Sequence, residues 1–548
     1  MRNQLRLFFL LSVLSRAGLI TAQTLTPGTP TLNFGNVYED APDSLPLTLT
    51  NTLGKPVTVT GIKFYNTYGS PAFAAGSSWF TIPDGDSAIV WITFAPRHNI
   101  FHNTEMVVEN DGLRGYVSIN LLGQGKYSNH YYDPTENLAE ENLKASINTI
   151  TGNGYVSLLY NPARDSMFMW MDNKRTNGQG ALQNTIECIY TGREAVGYVD
   201  RTDCQNNFSF NTEHTFPQSL FTSLEPMKSD LHHLFPTDNV ANNQRGDNPF
   251  GTVTSPTWSN GGSLSDGVRF EPRDLQKGQT ARAMFYFVLR YQNYNNFLNA
   301  QESILRSWHQ SHPPDAMERK RNDDIFAIQH NRNPFVDYPV FIERITSLSF
   351  NSVAPVLQTI DLPEDTIVYG TVPSGIPAVF EYVIINDGNS DVHFTNFNLS
   401  HAPELSFLNS GNDTVLAPGE SLTLHIRCLT SLMDSIRAFL TFSSDASGNN
   451  FVSVPIFVND PVFSGVDEVS GDVSVTPNPA SDRIVFTLSK FHGGGSLFLY
   501  DMTGRCIRTV PLQNSREEID VSGLSPGVYI LHFDLKGFPL TRKLIVAD

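Results

Sequence analysis

The chain has 548 residues, 40 % of them hydrophobic and 17 % charged, with 39 glycines and 33 prolines. It is too long for one hydrophobic core and too evenly mixed for disorder or a repeat filament, so several folded, strand-rich domains are expected. A net charge of −18 opposes contact with polyanions, so any chemistry on nucleic acid requires a local positive field.

Residues 1–22 read as a cleavable signal peptide. Arg2 and Arg6 are followed by the apolar Leu7-Phe8-Phe9-Leu10-Leu11 and by small residues near Ala22 and Gln23. The alternative, a membrane anchor, is opposed by an apolar run well short of the ~20 residues that span a bilayer. No later segment is long and apolar enough to span, so a mature chain without a transmembrane segment is expected outside the cytoplasm. The four cysteines, Cys188, Cys204, Cys428 and Cys506, are too few for a disulfide-built fold, and no two have zinc-site spacing. Cys188 and Cys204 could bridge after export or remain two thiols.

Residues 23–126 alternate apolar and polar positions in short runs, among them Leu47-Thr48-Leu49-Thr50, Val57-Thr58-Val59 and Ala88-Ile89-Val90-Trp91-Ile92-Thr93-Phe94. Turn signals separate the runs at intervals of roughly 8 to 12 residues, which predicts a β-sandwich. Residues 346–460 repeat the style. The phrases LTLTNTLGKPVTVTGI and YVIINDGNSDVHFTNF share a strand ending in Asn, a polar turn and a second strand. Both regions resemble the immunoglobulin-like modules of surface and secreted bacterial proteins, which implies a spacer or binding role.

Residues 127–345 differ in kind. Helical spacing over Leu138 to Ile150, Ala281 to Tyr291 and Asn299 to His309 is mixed with Asn-rich loops and many of the histidines. This predicts an α+β domain and is where chemistry is expected. Residues 466–548 read as a small all-β unit with VTPNPASDRIVF, SLFLYDMTGRCIR, IDVSGLSPGVYIL and a terminal RKLIVAD. These phrases resemble the C-terminal sorting domain read by the type IX secretion system of certain Gram-negative bacteria. The resemblance implies that machinery as a partner, with export to the cell surface or medium.

The stretch FSFNTEHTFPQSLFTSLEPMKSDLHHLFPTDNVANNQRGDNPFG, from Phe208, holds what phosphodiester hydrolysis needs. A histidine such as His214 can take a proton from water near neutral pH. Glu213 offers an anionic oxygen and Asn242 a neutral one to a hard divalent cation, leaving positions for water and phosphate. Neighbours on a regular strand face opposite ways, so Glu213 and His214 are not expected to serve one phosphate from an ideal strand. Pro217 follows closely, and irregular backbone is expected at the pair. Thr237 or Asp238 is expected to cap a short helix through Asn242. Arg245, three residues further along that helix, reads either as a phosphate clamp or as a structural salt-bridge partner.

Four motifs occur in series: NTEHTFPQS, SDLHHLFPTDNVANNQR, FEPRDLQKGQTARAMFYFVLRY and ERKRNDDIFAIQHNRNPFVDYP. Together they resemble the endonuclease I family of periplasmic and secreted bacterial nucleases, with its ββα-metal (His-Me finger) site, over about residues 130 to 342. The resemblance implies Glu213 and Asn242 as ligands of Mg²⁺, with Ca²⁺ or Mn²⁺ as substitutes, and His214 as general base. It also implies cutting of DNA, and often RNA, with little sequence preference. The competing reading is a surface binding protein with an inert nuclease fold. His232 and His233 are expected to pack rather than bind zinc. Gln329, Asn331 and Asn333 are expected to brace loops. The missing positive field is expected from some of Arg269, Arg273, Lys277, Arg282, Arg290, Arg306, Arg319, Lys320, Arg321 and Arg332.

Overall fold

The computed structural model describes residues 25–547, apart from 66–71, 112–115, 177–178, 292–294, 410–412, 432–434, 461–472, 489–494, 502–505 and 536–537. The expected signal peptide lies outside the described residues. The fold is mixed α/β with many sheets and a C-terminal all-β region. Apolar side chains gather in four main cores, over residues 25–121, 127–348, 360–458 and 480–546.

The first core lies between a four-stranded sheet, Leu25–Pro27, Asp43–Asn51, Ser87–Phe94 and Phe73–Ala75, and a five-stranded one. Alternate positions such as Leu47, Leu49, Val90 and Ile92 point into it, while Ile89 and Trp91 face out. The region from Ile360 to Val458 repeats this topology, including one parallel pair in each five-stranded sheet. Its shared phrase has a physical basis. Asn51 is buried at the end of its strand and donates to the carbonyls of Lys55 and Ile82, and Asn386 likewise donates to Ser390 and Leu416. Each amide thus ties its own turn to a neighbouring strand.

Residues 127–348 wrap helices around a core that includes the buried side chains Ala281, Phe285 and Phe287 of the helix Asp274–Tyr291. Against this lies a small antiparallel pair, Phe210–His214 with Leu234–Asp238, followed at once by the helix Asn239–Arg245. The C-terminal strands form a three-stranded and a four-stranded sheet over their own core. Among the described residues no helix is long and apolar enough to cross a membrane.

Candidate active site

Both expected partners, Glu213 and His214, are the last two residues of the Phe210–His214 strand. Its ladder is regular: Glu213 faces Phe235, His214 faces Leu234, and the Thr215 N–H donates to the His233 carbonyl at 2.9 Å. The expected irregular backbone is therefore corrected. Pro217 takes effect only beyond Thr215, where it precedes a short turn at Gln218–Phe221. In consequence the two side chains leave the strand on opposite faces.

Glu213 enters a buried polar pocket. The Tyr190 hydroxyl donates to Oε1 at 2.7 Å, and Arg245 Nε lies 3.0 Å from the same oxygen as an ion pair, off-axis for a hydrogen bond. Burial raises the carboxyl to about 7 despite Arg245, because an ion removed from water is costly without full compensation. Oε2 takes part in neither contact and is not one of the protein's sealed, partnerless polar atoms.

His214 stacks on Tyr160, with ring centroids 5.6 Å apart, and touches Phe221 and His233. Its Nε2 lies 3.0 Å from the Lys228 carbonyl oxygen. A carbonyl only accepts, so Nε2 carries the hydrogen and the neutral ring presents its lone pair at Nδ1. Nδ1 hydrogen-bonds to no described residue, and it is not sealed. Burial holds the ring's basicity down to about 3, with His233 and the cations Lys228 and Arg164 adding to the effect.

Asp238, not Thr237, caps the third element: its side chain accepts from the Ala241 N–H at 2.8 Å. The helix ends at Gly246, whose φ of 50° is one a side chain resists. Asn242 is half-buried on this helix, and its carboxamide finds no partner among the described residues. Arg245 is fully buried and faces inward. Besides its ion pair with Glu213 it donates to the carbonyls of Gly246 and Thr215 and lies over the Phe250 ring. The expected phosphate clamp is corrected to its alternative, a structural ion pair, because a guanidinium so enclosed has no face left for substrate.

A family model described as Endonuclease I matches residues 135–340. The extracellular ribonuclease of Bacillus amyloliquefaciens is 30 % identical over 236 residues, which cover 39 % of this chain and 77 % of that one. This chain belongs to the endonuclease I family. The extracellular ribonuclease of Bacillus subtilis (strain 168) is 29 % identical over 233 residues, with the same two shares. An extracellular deoxyribonuclease of Aeromonas hydrophila is 32 % identical over 118 residues, 20 % of this chain and 50 % of that one. A second model, the secretion system C-terminal sorting domain, matches residues 474–547. The molecule is a secreted nuclease with a C-terminal sorting domain.

Around this endonuclease I site, His232 and His233 are buried, with Nε2 atoms against the carbonyls of Asn331 and Met227. Among the described residues no group of three or more His, Cys, Asp or Glu could hold a metal. Cys188 and Cys204 are buried free thiols. Gln329 accepts from the Leu231 N–H and donates to Asp230, and Asn331 donates to the Tyr286 hydroxyl.

The expected source of positive field is largely engaged elsewhere. Of the ten late cations, Arg273, Lys277, Arg282, Arg306, Lys320, Arg321 and Arg332 all sit in ion pairs with acidic neighbours. Residues that motif reading passed over stand beside the site instead: Tyr190 on Glu213, and Tyr160, Arg164 and Lys228 around His214. Tyr160 and Arg164 share a face at i, i+4 of one helix, a spacing visible in sequence. Their meeting with His214 is long-range and left no local signal.

Proposed function

We propose that this nuclease hydrolyses phosphodiester bonds in DNA, and in RNA, with little base preference, through one divalent cation and His214 as general base. The observation that carries this reading is the set of uncommitted atoms. Glu213 Oε2, the Asn242 carboxamide and His214 Nδ1 have no described hydrogen-bond partner, although the rest of each residue is fixed. One carboxylate oxygen and one carboxamide oxygen suit Mg²⁺, which keeps most of its water, with Ca²⁺ or Mn²⁺ as substitutes. A buried carboxyl raised to about 7 likewise gains from a nearby cation.

In this reading Arg245 and Tyr190 hold Glu213 Oε1, so that Oε2 is aimed outward. Glu213 Oε2 and the Asn242 carboxamide would hold the cation, which when bound would supply charge neutralisation at the phosphate and at the leaving oxygen. The Lys228 carbonyl fixes the His214 tautomer. Burial lowers the ring's basicity below the near-neutral value expected from the sequence, and the anionic phosphate beside it would raise it again as Nδ1 accepts the proton of the attacking water. Because Glu213 and His214 leave the strand on opposite faces, the phosphate is taken across the strand's end, where His214 stands last. The strand pair and helix are thus read as the ββα-metal arrangement. The relatives named as ribonucleases and deoxyribonucleases support polymeric substrates of both kinds.

The unit limits 23–126, 127–345, 346–460 and 466–548, with the first and third immunoglobulin-like, belong to the same proposal and rest on the four separate cores. The test is cleavage of supercoiled plasmid and of an RNA transcript across Mg²⁺, Mn²⁺ and EDTA. Loss of cleavage in EDTA, with a raised Mg²⁺ requirement in Glu213→Gln and Asn242→Ala, supports the reading. Full cleavage in EDTA overturns it.

A further inference from the structure

A chain of net charge −18 that acts on a polyanion needs cations at the site itself, and most of the late arginines are engaged elsewhere. Two other cations meet around one ring. Arg164 Cζ lies 4.2 Å from the Tyr160 ring centre, and Lys228 Nζ lies 4.7 Å from it. The same ring stacks on His214. Arg164 and Tyr160 share the helix Tyr160–Ser166, whereas Lys228 belongs to the loop whose carbonyl orients His214.

Neither nearby acid forms an ion pair with Arg164 or Lys228: Asp165 pairs with Arg201 at 2.6 Å, with a weaker pull on Arg164, and Glu225 accepts from the Ser229 hydroxyl at 2.5 Å. Among the described residues Arg164 bonds to the Asn161 carboxamide, its Nε is sealed without a partner, and Lys228 Nζ forms no ion pair. Neither cation has an ion-pair partner of its own among these residues, and the Tyr160 ring they both lie over fixes each in advance for an anion. A planar guanidinium and an ammonium around one ring suit phosphate oxygens.

We propose that Arg164 and Lys228, held on Tyr160, bind a backbone phosphate of the substrate next to the one being cut. This rests on the nuclease reading of the site and adds the surface that receives the strand. The contact is to phosphate, so it carries no base preference.

The test is binding of a short fluorescent DNA duplex by the full-length chain in EDTA, across a potassium chloride series, which separates binding from cleavage. Each phosphate contact contributes about 0.9 to the slope of log affinity against log salt. The double variant Lys228→Met/Arg164→Gln is expected to make the slope shallower by about 0.9, and each single variant by part of that, with Lys228→Arg and Arg164→Lys restoring it. A folded double variant with the wild-type slope overturns the proposal, as does a wild type with no duplex binding. Should Arg164→Gln fail to fold, Lys228→Met decides, since that side chain is only half-buried. A wild type that binds with these slopes yet cuts nothing in Mg²⁺ leaves this surface standing and removes the hydrolytic reading. A wild type that cuts while the double variant keeps its slope does the reverse.

Discussion

Arg245 Nε lies 3.0 Å from Glu213 Oε1, and neither side chain is accessible enough for water to replace the other. Removing one member of such a pair strands the other charge. Arg245→Met is expected to lower stability by about 3–5 kcal/mol, measured by urea unfolding. Glu213 should then take up a proton at neutral pH, because burial already raises it to about 7. Mn²⁺ affinity, followed by electron spin resonance, should fall well beyond what the stability loss explains. Unchanged affinity in a folded Arg245→Met protein would mean that the arginine does not orient the carboxylate.

Asp230 acts on the other side of the strand. It is buried, and its Oδ2 accepts from the hydroxyls of Tyr286 and Tyr291, each at 2.8 Å. These bonds fix the loop that presents the Lys228 carbonyl to His214. Asp230→Asn is expected to cost about 1–3 kcal/mol by leaving a buried donor misplaced. It should also let the His214 ring populate both tautomers, visible as a changed nitrogen shift pattern. A single Nε2–H tautomer in the variant would restrict Asp230 to a structural role.

Glu105 gives a pH test remote from the active site. It is buried between the regions of residues 25–121 and 360–458, hydrogen-bonded to Ser421 and Asn120, and burial raises it to about 7 from 4.5. The folded state therefore holds this proton more tightly than the unfolded chain. Its contribution to stability is complete below about pH 4.5 and is lost as pH rises through about 7. The melting temperature of Glu105→Gln relative to wild type should accordingly rise between those limits. A flat difference would place the carboxyl in water.

Much of this was legible in the sequence where the signal is local. The polar turn after a strand-ending Asn recurs at Asn51 and Asn386 because one buried amide closes each turn. Asp238 lies where a cap must precede the Asn242 helix. Proximity in sequence misled at Pro217, since Thr215 still pairs with His233 before the chain turns. It misled again at Arg245, whose i, i+3 relation to Asn242 says nothing about which way a helix faces its core. Tyr190, Tyr160 and Lys228 reach the site through tertiary packing, and no spacing announces that.

The most direct measurement is the single-turnover rate of plasmid nicking by His214→Ala in saturating Mg²⁺. Loss of a general base is expected to slow the step roughly 100- to 10,000-fold, while the Mg²⁺ concentration for half-maximal rate stays near wild type, because Glu213 and Asn242 remain. Nicking by His214→Ala at the wild-type rate would contradict the account.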